Sequence, residues 1–195
     1  MAAGFKYDLE PREFMPEFCR FETVYRLSGG FNLVLDNLEK GAKIPPMTPL
    51  AVDFVTREAT VVKNVKVVEA AAAGATEAKI AKGSLAYVGM IVGNGSNGAT
   101  VAAIDKSNEK YDVLTFVAAF TGALKEKDVL FEAAAAGGTT VKNKANFLNY
   151  AWTKVEEGAA VDAVGQAFEI RESKLITPVS VKDKETLGDR FMFTY

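Results

Sequence analysis

The chain has 195 residues, 49% of them hydrophobic, with a net charge of −2, a single cysteine and no histidine; this is enough for one domain, or one domain plus an arm. Without histidine there is no Ser–His–Asp or Cys–His catalysis, no histidine metal ligand and no near-neutral proton shuttle. The lone Cys19 rules out an intrachain disulfide or a cysteine-cluster zinc site, and the near-neutral charge gives no general attraction to nucleic acid or an anionic membrane.

Residues 1–19 read as an arm. Pro11 and Pro16 oppose one continuous helix, because proline lacks an N–H and clashes with the preceding turn. Four aromatics, Phe5, Tyr7, Phe14 and Phe18, fall in this stretch. They either pack on their own domain or dock on a neighbour, and docking is favoured because aromatics are enriched at interface cores. Residues 1–30 are studded with charges and have no apolar segment of the kind a secretory signal needs. No run approaches the roughly 18 apolar residues of a membrane span.

Residues 20–195 read as a β-rich domain. Phe21, Thr23, Tyr25 and Leu27 alternate with Glu22, Val24 and Arg26, the period-2 signature of a strand. With Ser28-Gly29-Gly30 and the second alternating run Phe31, Leu33, Leu35, this predicts a hairpin whose Phe21, Tyr25, Phe31 and Leu33 are core residues. Asn37–Pro49 is a loop broken by Gly41, Pro45, Pro46 and Pro49. Strands are predicted at Leu50–Val55, Thr60–Val68, Leu85–Val92, Ala99–Ile104, Tyr111–Val117, Asp128–Glu132 and Gln166–Ile170. Ala145–Glu156 is irregular or strand. Ser180 is placed to cap a short helix over Val181–Leu187, with Asp183 near its positive end and Gly188 as the stop. Phe191, Phe193 and Tyr195 alternate as a terminal strand. The fold class that follows is mainly β: a sandwich or barrel-like domain with an extended N-terminal arm and a short C-terminal helix.

Two internal echoes support that class. Glu-Ala-Ala-Ala-Ala-Gly occurs at Glu69–Gly74 and again at Glu132–Gly137, each time after an apolar run. Gly83-Ser84-Leu85 precedes Met90-Ile91-Val92 at the spacing with which Gly122-Ala123-Leu124 precedes Val129-Leu130-Phe131. Both look like repeated corners of one β-structure.

Each sign of chemistry has a plainer explanation. Gly93, Gly95 and Gly98 spell G-x-G-x-x-G, but the dinucleotide version needs a helix after it, and Ala99–Ile104 followed by Asp105-Lys106-Ser107-Asn108 reads as a hairpin strand and turn. Asn94-Gly95-Ser96 is a glycosylation sequon and reads as an exposed tip. Asp105, Ser107 and Glu109 resemble the start of a calcium loop, yet Lys110 stands where that loop needs glycine. Glu156-Glu157 and Asp183/Glu185 read as surface carboxylates. The expectation is no enzyme, no cofactor and no metal. Lysines are scattered rather than arranged in a stripe with aromatics, so no nucleic-acid partner is expected.

The stretches Arg20–Phe31 and Gly41–Leu50 resemble the head fiber proteins of tailed phages of gut Bacteroidetes. Val68–Val92, turning at Gly83-Ser84-Leu85, and Tyr111–Glu132, ending Asp128-Val129-Leu130-Phe131-Glu132, are similar to that family's β-domain. The resemblance covers residues 20–195, and the arm is where variation is expected. It implies a non-enzymatic virion protein made in the bacterial host cytoplasm. Such a protein binds the capsid exterior, commonly as a homotrimer on the major capsid protein. A carbohydrate-binding β-sandwich is the alternative, with a host-surface glycan as partner and Tyr150 with Trp152 as its candidate platform.

Overall fold

Alternation and β-branching carry most of the chain into strands, and the computed structural model describes residues 18–195. The first five strands are β1 (Arg20–Arg26), β2 (Phe31–Leu33), β3 (Lys43–Ile44), β4 (Pro49–Asp53) and β5 (Glu58–Val61). Next come β6 (Asn64–Lys66), β7 (Ala75–Ala81), β8 (Ile91–Gly93), β9 (Gly98–Asp105), β10 (Tyr111–Phe120) and β11 (Val129–Glu132). The chain ends with β12 (Phe147–Asn149), β13 (Thr153–Lys154), β14 (Ala160–Val161), β15 (Ala163–Arg171), the helix α1 (Val181–Leu187) and β16 (Phe191–Thr194).

These strands make two main sheets. In the first the order is β1-β15-β12-β4-β5-β2-β14, with β16 also pairing β15 in parallel. In the second it is β6-β11-β8-β9-β10-β7, antiparallel throughout. This second sheet curls until Val67, just past β6, bridges Ile80 on β7. Its interior is filled by Val65, Ile80, Met90, Val101, Leu114, Phe120 and Leu130, all buried. Its strands lie in sequence between β5 and β12, both of which flank β4 in the first sheet. The second sheet is therefore an insertion, entered at Lys63 and left after Glu132.

Several expectations are corrected by this topology. The hairpin of β1 with β2 does not form: β1 pairs β15, while β2 lies between β5 and β14. Gly29 and Gly30 both have positive φ, and Arg57 donates to both of their carbonyls at 2.7 and 2.9 Å, turning the chain away from a tight hairpin. Phe31 and Leu33 are buried as read, but Phe21 and Tyr25 are 47% and 63% exposed. They lie on an edge strand whose only strand partner among the described residues is β15. The run Thr60–Val68 divides between β5 and β6 in different sheets, and Leu85–Met90 is irregular before β8. Strand β7, rich in alanine, has no strong sequence signal; Ala78 and Ile80 face its core.

Other readings hold. The two echoing corners feed β8 and β11, which are hydrogen-bonded neighbours. Both Glu-Ala-Ala-Ala-Ala-Gly copies are strand-ending corners, each with one isolated bridge, Ala71 to Leu124 and Ala133 to Val141. Ser180 caps α1 in a complete capping box with Asp183.

Candidate functional site

A row of aromatic residues crosses the first sheet in strand order: Tyr25 on β1, Phe147 on β12, Phe54 in the turn after β4 and Phe31 on β2. Gly165 on β15 makes the row continuous. A Cβ there would lie 3.5 Å from both the Tyr25 and the Phe147 ring, so its missing side chain lets the two rings flank it. Phe54 meets Phe31 edge-on with centroids 5.4 Å apart, and Phe147 at 5.5 Å. Arg57 sits 4.5 Å over the Phe31 ring and Arg190 5.1 Å over Phe147. Phe31 and Phe147 are thereby covered, while Phe54 is 53% exposed and the neighbouring Val55 almost fully so. Exposed aromatics resting on a buried aromatic layer, with arginines at the margin, have the composition of protein-interaction hot spots.

The chain enters β1 at Arg20, opposite Phe168 of β15, and the preceding Phe18 packs with Leu148 and Val164, on the face opposite Phe147 and Gly165. Phe5, Tyr7 and Phe14 lie outside the described residues. Phe18 is half-buried and packs against the core formed by Leu148, Val164, Ile170 and Phe191. Its carbonyl accepts the Arg171 N–H at 2.7 Å, which anchors this end of the arm to the domain. The bulged part of β1 is secured by Thr23, whose hydroxyl accepts the Phe168 N–H at 2.9 Å and donates to the Arg20 carbonyl. Cys19 is buried and its thiol pushed up to about 11 by burial, so it stays protonated.

A second feature is the cleft of about 500 Å³ between the sheets. The loop residues Asn37, Leu38 and Glu39 form one wall, and Ser84, Leu85 and Tyr87 the other. Glu39 and Lys106 are 3.8 Å apart at its edge. Tyr87 connects the cleft to a buried charge cluster by donating to Glu132 Oε1 at 2.6 Å. Burial, and then this hydrogen bond, hold the Tyr87 hydroxyl above the usual phenol value.

The remaining motifs resolve structurally. Gly93 and Gly98 bracket the β8–β9 turn and both press on Gly138: a Cβ would lie 2.5 Å from the Gly138 carbonyl oxygen or 2.6 Å from its Cα. Gly93 and Gly98 of the G-x-G-x-x-G spacing thus serve close backbone packing of the β8–β9 turn against the segment after β11, and no helix follows it. Asn94 accepts the Ser96 and Asn97 N–H groups in an exposed turn. Asp105 accepts from Ser107 in another, and that bond lowers its pKa. Among the described residues no group of three or more His, Cys, Asp or Glu side chains could hold a metal ion. Asp183, read as a surface carboxylate, is buried in the helix cap. Trp152 and Tyr150 do not form an open platform: both are half-buried, and Tyr150 packs on the core beneath Arg26. The Phe54–Tyr25 surface was missed by sequence reasoning; its one signal was the Phe54-Val55 pair at a strand end.

These features define a β-built scaffold that presents an aromatic surface. The family model described as head fiber protein matches residues 1–192, nearly the whole chain, and the chain belongs to that family. It is a structural protein of a phage virion. The match begins at residue 1, so it takes in the arm as well as the β-domain. No curated protein and no solved structure matches the chain. No helix among the described residues is long and apolar enough to cross a membrane.

Proposed function

We propose that this head fiber protein binds the outer surface of the capsid as a homotrimer, contacting the major capsid protein through its arm and the exposed aromatic surface. Phe5, Tyr7, Phe14 and Phe18 are the arm's contact residues, with Phe18 also fixing the arm to the domain. The observation that carries this reading is the extent of the family match, which covers the arm together with the domain it enters. The exposed Phe54 and Tyr25 support it, because apolar area left open by the fold is available for burial against a partner. The role is structural rather than enzymatic. Attachment acts by mass action: many copies bound at symmetric sites stabilise the assembled shell over free subunits.

Co-sedimentation with capsids lacking head fibers tests this, alongside light scattering of the free protein. The full chain should be trimeric and sediment with capsids, and deletion of residues 1–19 should abolish sedimentation. A monomer that binds equally well without the arm would overturn the reading.

A host-surface glycan is a second reading, favoured by the cleft. It combines apolar Leu38 and Leu85 with Asn37 and Glu39, and its wall includes Ser84, whose buried hydroxyl has no hydrogen-bond partner among the described residues. Leu85→Trp, which fills the cleft, should remove any signal on a glycan array; a signal it leaves intact would place sugar binding elsewhere.

A further inference from the structure

Lys63 and Glu132 face each other where the chain enters and leaves the second sheet. The register of β6 with β11 sets Asn64 opposite Phe131, so Lys63 and Glu132 form the next rung, and the Glu132 N–H donates to the Lys63 carbonyl at 2.9 Å. Both side chains are buried. Lys63 Nζ lies 3.8 Å from Glu132 Oε2, beyond hydrogen-bond reach, and Oε2 has no hydrogen-bond partner among the described residues. Nζ itself donates a 3.3 Å bond to the Asp36 carbonyl. The other carboxylate oxygen, Oε1, accepts from Tyr87 at 2.6 Å and from Lys142 at 2.8 Å. One oxygen is thus gripped by two donors, while the other is bare and faces an amine in a site largely closed to water.

Glu132 is compensated by Lys142 and Tyr87, but the Lys63 ammonium is not, since its burial removes more solvation than a 3.8 Å ion contact and a 3.3 Å hydrogen bond restore. Burial draws the Lys63 ammonium below the usual lysine value, against the opposing pull of Glu132. The amine is held next to a carboxyl group whose Oε1 is already bound by two hydrogen-bond donors. Proximity and a prepared oxyanion site both favour acyl transfer, and the leaving oxygen must also be protonated, for which Oε2 faces the Lys63 ammonium.

We propose that Lys63 and Glu132 condense into an intramolecular amide between Nζ and Cδ. Nζ passes a proton to Oε2, which makes the carboxyl neutral, and the freed lone pair attacks Cδ. Negative charge collects on Oε1, where the Tyr87 hydroxyl and the Lys142 ammonium lie. Collapse breaks the Cδ–Oε2 bond, and Oε2 leaves as water carrying the two protons lost from Nζ. An ammonium and a carboxylate become an amide and one water, so atoms and charge balance without another reactant. The product removes two buried charges and closes a covalent loop across the neck of the inserted sheet. A load passing along the chain from β5 to β12 then bypasses that sheet.

Intact-mass spectrometry of the purified full chain reads this directly. The expected mass is one water below that of the sequence, and proteolysis should yield a branched peptide joining Lys63 to Glu132. Lys63→Arg should appear at its full sequence mass; if that variant is insoluble, fragmentation of the wild-type branched peptide locates the bond by itself. The proposal is overturned by a wild-type chain at full mass, by a water loss that persists in Lys63→Arg, or by one that maps to another peptide.

Discussion

Asn64 Nδ2 donates to Asp183 Oδ2 at 2.6 Å, tying the first residue of β6 to the cap of α1 across 119 positions of chain. The same Asn64 amide donates to the Pro178 carbonyl at 2.8 Å, and the same carboxylate oxygen accepts from the Ser180 N–H and hydroxyl. A helix cap therefore doubles as the lock between the inserted sheet and the C-terminal segment.

That lock should respond to pH. Burial raises the Asp183 pKa above its ordinary 3.8, against the pull of its hydrogen bonds. Between 3.8 and the raised value the native state holds a proton that the unfolded state releases, so stability falls as pH rises through this window. The slope is at most about 1.4 kcal/mol per pH unit. Denaturant unfolding across acid pH should show it, and Asp183→Asn, which keeps an acceptor but does not titrate, should flatten it. Asp183→Ala leaves the Ser180 N–H and the Asn64 amide short of an acceptor and should cost about 1–3 kcal/mol.

Gly137 and Gly138 are adjacent yet should differ sharply. Gly138 has φ +65, and a Cβ there would run into the Asn97 carbonyl; Gly137 has open space. Gly138→Ala should destabilise by about 1–3 kcal/mol or more, through overpacking and backbone strain. Gly137→Ala should stay within about 0.5 kcal/mol of the parent. Thermal denaturation of the two single variants decides this, and equal melting temperatures would remove the packing account of the glycine spacing.

Phe54 divides its ring between the fold and the outside. Phe54→Ala should cost about 1–2 kcal/mol of stability through its two edge-on contacts. Paired with Tyr25→Ala, it should weaken capsid attachment by about tenfold or more. Sedimentation over a range of capsid concentrations measures the shift, and unchanged affinity would mean that this surface faces away from the partner.

The arm aromatics should separate into two groups. Phe18→Ala should lower the melting temperature because its ring packs on the core. Phe5→Ala, Tyr7→Ala and Phe14→Ala together should leave melting unchanged while reducing attachment. A triple variant that binds capsids like the parent would remove the arm from the interface.

The helix at Val181–Leu187 was legible because its signals are local: Ser180 and Asp183 bond within one turn, and Gly188 stops it. The G-x-G-x-x-G spacing was legible only in part. Its β-turn context excluded a helix from sequence, but the Gly138 backbone that explains the glycines comes from a distant segment. The Phe21 and Tyr25 alternation correctly marked a strand and misplaced its faces, because alternation does not say whether a strand is central or at an edge.

The sequence by itself determined the β class, the terminal helix, the absence of histidine and disulfide chemistry, and the kinship of the chain. These depend on residue type and short-range spacing, which the chain carries locally. Only the tertiary structure decided that β1 pairs β15, that one apolar run splits between two sheets, that Gly165 joins Tyr25 to Phe147, and that Lys63 meets Glu132 in a buried site. Each of those depends on which distant strand offers the complementary edge and face, and periodicity along a single strand carries no record of its neighbour.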